Sequence, residues 1–114
     1  MGVFQIRNLT NDKVFVSSST NLAGIFNRHE FQLKMNGHPN KSLQMDWNEL
    51  GAENFAFEII EELESRENLD DKAELTFLED LWLEKLEPYG ERGYNERKKT
   101  REERLRMISD NKKL

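Results

Sequence analysis

Glu79 falls in line with Leu75, Trp82 and Leu86, at i−4, i+3 and i+7, which puts a carboxylate on the apolar stripe of a helix. Burying a carboxylate is costly unless a cation, a hydrogen-bond donor or a metal compensates, so Glu79 is the leading candidate for site chemistry. The plainer alternative is an acid at the helix edge that reaches water or pairs with a base. His29 shares an apolar face with Leu22, Ile25, Phe26 and Leu33 and poses the same choice: a working imidazole, or one satisfied by a single core hydrogen bond. Gly93-Tyr94-Asn95 reads first as a turn, with Gly supplying positive φ and Asn bonding its own backbone. Phe4 and Phe15 read as core aromatics at strand spacing. From Arg97 to Arg106 the chain is basic enough to release counterions from a nucleic-acid backbone, although Glu102 and Glu103 suit a solvated helix with i, i+4 pairs equally well.

The elements that must carry these residues follow from periodicity. Val3, Phe4 and Ile6 alternate with polar neighbours, and after the turn-prone stretch Asn8 to Asp12 a second β-rich run, Lys13 to Val16, predicts a hairpin. Ser17 to Asn21 offer helix caps, and Leu22, Ile25, Phe26, His29 and Leu33 then recur at helical spacing until Asn36-Gly37. Leu43, Trp47 and Leu50 make a shorter helix that ends at Gly51. Phe55, Phe57 and Ile59 predict a third strand with one well-buried face, and Ala56 and Ile60 suggest partial cover on the other. Glu64 to Asp71 reads as a loop; Leu75 to Leu86 is a strongly apolar helix, ended by Pro88 and Gly90. The expected fold is α+β, a small, mainly antiparallel three-stranded sheet flanked by helices. Residues 1–95 form the domain, and 96–114 a basic C-terminal helix or tail with too few apolar residues to build a core.

At 114 residues the chain holds one domain, and eleven aromatic residues (seven Phe, two Trp, two Tyr) can anchor its core. No cysteine is present, which excludes disulfides, thiolate metal sites and cysteine nucleophiles, and two histidines alone make a structural zinc site improbable. No apolar run approaches the length of a membrane span and no secretory signal is visible, so a soluble, cytoplasmic protein is expected. The net charge of −5 conceals a segregation: residues 1–45 carry five bases against two acids, 46–91 three against sixteen, and 92–114 nine against four. The outer blocks suit phosphate, and the middle block repels it.

Taken in order, these landmarks resemble the GIY-YIG nuclease family. Gly2-Val3-Phe4 stands at the first name motif and Val14-Phe15-Val16-Ser17 at the second, followed by Ser18 to Leu22. His29, His38 to Gln44, Asp46-Trp47-Asn48, Gly51 and Asn54 to Ile59 read like the stretch common in intron-encoded and bacterial members, with Glu79 and Gly93-Tyr94-Asn95 completing the pattern. The resemblance implies metal-dependent phosphodiester cleavage, with Mg²⁺ or Mn²⁺ on Glu79 and with His29 and Asn95 at polar positions of the site. It also implies a tyrosine phenol that helps to activate water and an arginine on the first helix that stabilises charge on phosphate. Here Phe4 and Phe15 occupy both tyrosine slots, and Ile25 the arginine slot; Arg28 is near but rotated on the helix.

Three functions remain open at this level. One is a catalytically degenerate domain that binds DNA through its basic residues, Arg28, Lys34 and Lys41 in the opening block and Arg97, Lys98, Lys99 and Arg101 in the tail. A second is an active endonuclease with an altered site built on Glu79, His29 and Asn95. The third is an adaptor whose acidic middle meets a basic protein partner.

Overall fold

Alternating apolar residues build the sheet first. Strands β1 (Gly2–Asn8) and β2 (Val14–Ser19) form the expected antiparallel hairpin, with Arg7 opposite Val14 and Gly2 opposite Ser19. A third strand, β3 (Phe55–Glu62), pairs antiparallel with the other edge of β1, giving the order β2-β1-β3. The structure is a computed structural model and describes residues 1–65 and 70–96. Three helices complete it: α1 (Leu22–Lys34), α2 (Lys41–Leu50) and α3 (Asp71–Leu86).

The first strand is therefore the central one, and both of its faces are covered. On one face Phe4 and Ile6 pack with Leu33, Leu43, Trp47 and Phe55 beneath α1 and α2. On the other, Val3 and Val16 meet Leu78 and Leu83 of α3. No described helix is long and apolar enough to cross a membrane. Gly2 is required by space, because a Cβ there would collide with the backbone of Glu61 on β3.

Local chemistry sets the helix ends. The Asn21 side chain caps α1 by accepting from the Gly24 N–H at 3.0 Å, and the Asn40 side chain caps α2 by accepting from the Leu43 N–H at 2.9 Å. The α1 stop expected at Asn36-Gly37 is present, with Asn36 itself in the left-handed region at φ 58°. Asp70 caps α3.

Two sequence expectations are corrected. Ile59, expected to continue the buried face of β3 after Phe57, is 45% exposed, while Ile60 packs towards α3. A register shift between Val3 and Phe4 of β1 breaks the two-residue alternation at that point. Gly93 is not a positive-φ turn residue: it is extended at φ −172° and bridges in parallel to Val14. A side chain there would strike the Val14 and Pro88 carbonyls, so the position needs glycine for room.

Candidate functional site

The inward face of α1 brings His29 onto the sheet, where its ring lies 5.5 Å from Phe4 of β1 and 5.7 Å from Phe15 of β2, centroid to centroid. Ile25, one turn earlier, packs into the apolar cluster beside Phe4. The connection between α1 and α2 delivers a second imidazole, His38, only 3% exposed, with its ring edge-on to Phe15 at 5.7 Å. His29 Nδ1 and His38 Nε2 are 2.7 Å apart.

One hydrogen-bond pattern is consistent with the surroundings of this pair. The Asn40 backbone N–H donates to His38 Nδ1 at 3.0 Å, so that nitrogen must be an acceptor and the His38 proton resides on Nε2. His38 then donates to His29 Nδ1, and His29 carries its proton on Nε2. His38 is itself held by Gln44, which accepts from the His38 N–H and donates to the Leu33 carbonyl, both at 3.0 Å. The chain from backbone amide to His29 is thus directional, and it ends on an N–H donor.

Both imidazoles are held neutral. Burial, then the neighbouring His38 and Arg28 charges, lowers His29 from 6.5 to about 4, and burial lowers His38 as well. Because the unfolded chain takes up these protons at the ordinary histidine value, it binds more protons than the folded state between about pH 6.5 and pH 4. Stability is therefore full above pH 6.5 and falls as pH drops towards 4. After allowance for the partial exposure of His29, we expect a loss of about 1–2 kcal/mol from that residue, with His38 acting in the same direction. Urea unfolding at pH 7.5 and 4.5 reads this loss, a His29→Gln variant should show less of it, and an imidazole NMR titration should place His29 near pH 4. A His29 midpoint near 6.5 would overturn the neutral-pair assignment.

The pair opens on a cleft of about 310 Å³ whose wall includes Phe15, Pro39, Asn40, Asn95 and Glu96. Phe4 is fully buried, whereas Phe15 is half-buried and lines the cleft. Asn95 is fastened to β2: its Oδ1 accepts from the Val16 N–H at 2.8 Å and its Nδ2 donates to the Val16 carbonyl at 2.7 Å. The neighbouring Tyr94 hydroxyl donates to Asp46 at 2.6 Å and accepts from Asn8 at 3.0 Å. Burial, then the bond to Asp46, raises the Tyr94 pKa above its usual value, so this phenol stays protonated.

Glu79 is half-buried on α3, and it does not line this cleft. Among the described residues no group of three or more His, Cys, Asp or Glu side chains forms a metal cage. A single hard carboxylate still suits Mg²⁺ or Mn²⁺ where water and substrate phosphate oxygens complete the shell, so Glu79 fits such an ion chemically. Arg28 is exposed on α1 next to His29, and Lys41 is exposed at the start of α2 beside the cleft residue Asn40. Lys34 is paired with Glu30 at 2.9 Å. Arg97, Lys98, Lys99 and Arg101 lie outside the described residues. Sequence reasoning passed over His38 as a site residue; the signal that could have found it was its place as the chain's other histidine, nine positions after His29.

Comparison with known proteins agrees with this architecture. The sequence matches the GIY-YIG catalytic domain over residues 1–95. The catalytic domain of the homing endonuclease I-TevI is 28% identical, with a TM-score of 0.71, covering 85% of this chain and 98% of that one. A Glu-to-Ala variant of the same intron endonuclease domain matches with the same identity and TM-score, over 87% of this chain and 95% of its own. No curated protein matches the sequence. Since the sequence match spans the sheet, the helices and the Gly93-Tyr94-Asn95 segment pinned to β2, the chain belongs to the GIY-YIG nuclease family.

Proposed function

We propose that this protein is a catalytically degenerate GIY-YIG domain that binds DNA. The observation that carries the reading is that the two strand aromatics against His29 are phenylalanines, Phe4 and Phe15, with no hydroxyl to take or relay a proton. Two further features support it. His29 presents an N–H rather than a lone pair, and Ile25 contributes a hydrocarbon to the core where the family carries a cation. Such a site binds and orients without supplying a general base.

If a divalent ion binds, Glu79 would hold it, and the ion would polarise a phosphate oxygen. The alternative of an active nuclease with an altered site draws on the same Glu79, His29 and Asn95. The adaptor reading is weakened because two carboxylates of the acidic block serve internally: Glu58 accepts from Arg7 at 2.7 Å, and Glu61 from Trp82 at 3.1 Å.

DNA binding rests on phosphate contacts from Arg28 and Lys41 beside the cleft and from Arg97, Lys98, Lys99 and Arg101 in the tail. Fluorescence anisotropy with short DNA should show affinity falling steeply with salt. Neutralising the four tail residues together should flatten the logarithmic salt slope by about one for each phosphate that the variant no longer neutralises. No binding at low salt would end the proposal.

A further inference from the structure

We propose that the cleft beside the histidine pair receives one unpaired nucleobase of single-stranded DNA, stacked against Phe15 and hydrogen-bonded to His29 Nε2–H. This rests on the reading that the protein binds DNA and names the form of DNA that its site takes.

The cleft has an aromatic wall. Phe15 is the one of the two site phenylalanines that lines it, with Pro39 exposed on the same wall. A volume of about 310 Å³ is at the lower end of the range of small-molecule sites (~300–1,000 Å³), which suits a single base rather than a base pair. The charge pattern disfavours a phosphate there. Neither imidazole is cationic at neutral pH, and Glu96 adds a carboxylate to the rim. Bases are neutral and have a π-face, so an aromatic wall without positive charge selects them over the backbone.

The histidine chain supplies the polar contact. His29 Nδ1 is taken by His38, so the ring keeps one donor, Nε2–H, for which no described residue provides an acceptor. Buried side-chain nitrogen and oxygen atoms all have partners among the described residues, so this nitrogen is not sealed in the core. A ring nitrogen or carbonyl oxygen on a base edge accepts such a donor. Arg28, exposed and adjacent in the chain to His29, and Lys41, exposed and adjacent to Asn40, supply cations for the strand's phosphates.

The test uses the full chain and a 12-nucleotide DNA carrying 2-aminopurine, as a single strand and as a duplex, at low salt. The wild type is expected to bind the single strand more tightly and to change the label's emission by stacking. Phe15→Leu, which keeps the apolar volume but removes the ring, should weaken single-strand binding about tenfold and abolish the emission change. Phe15→Tyr, which keeps the ring, should retain both, and a cooperative urea transition for Phe15→Leu above its binding conditions shows that its loss is of stacking and not of the fold. Single-strand binding with unchanged emission, or binding unaffected by Phe15→Leu, overturns the base site while leaving DNA binding in place. No binding of either form overturns the DNA reading together with it.

Discussion

End-labelled duplex and branched DNA should survive incubation with this protein and Mg²⁺ or Mn²⁺ to the same extent as with its Glu79→Ala variant, whereas the double exchange Phe15→Tyr with Ile25→Arg should raise cleavage at least 10²-fold. A positioned proton acceptor contributes typically 10²- to 10⁴-fold, and a preorganised charge on a developing oxyanion about 10²- to 10³-fold. Losses within one catalytic unit do not add, so the gain from restoring both is bounded by the larger contribution rather than by their product. The structure ranks the two aromatic positions. Phe15 lines the cleft and would place a phenol in it, but Phe4 is fully buried, and a hydroxyl there must find a partner inside the core. Phe4→Tyr is therefore expected to add little activity and to cost about 1–3 kcal/mol of stability. Returning Glu79→Ala to the double variant should abolish the gain. Cleavage by the unmodified protein above the Glu79→Ala background would reject degeneracy and favour the altered-site nuclease.

Tyr94→Phe is expected to destabilise the fold by about 1–3 kcal/mol in denaturant unfolding, far more than removal of one oxygen from a surface position. The hydroxyl is shared: Asp46 accepts from it, and the fully buried Asn8 donates to it through Nδ2. Asn8 cannot turn to compensate, because its Oδ1 already accepts from the N–H and hydroxyl of Thr10 at 2.9 and 2.7 Å. The substitution thus strands a buried donor and a half-buried carboxylate together. Asp46→Ala combined with Tyr94→Phe should cost less than the sum of the two single changes. A Tyr94→Phe loss within about 0.3 kcal/mol of zero would show that the network contributes little.

The local elements were legible in the residues themselves. Alternation marked β1 and β2, helical spacing and the Asn21 cap marked α1, and Asn36-Gly37 marked its end, because each depends on neighbours a few positions away. The resemblance to GIY-YIG likewise rests on an ordered series of short motifs, which the family match over residues 1–95 bears out. What needed the tertiary structure is what distant segments do to one another. The central place of β1 arises only when β3 returns to its open edge, burying both faces. Asn95 looked like a turn residue, yet its amide bonds Val16, 79 positions away, and Gly93 is glycine for want of space beside Val14 and Pro88. His29 was legible as an imidazole on an apolar face, but its proton's position was not. That depends on His38, the Asn40 amide and burial between two phenylalanine rings. Periodicity reports the face on which a side chain lies, and only packing determines which groups meet there and in which protonation state.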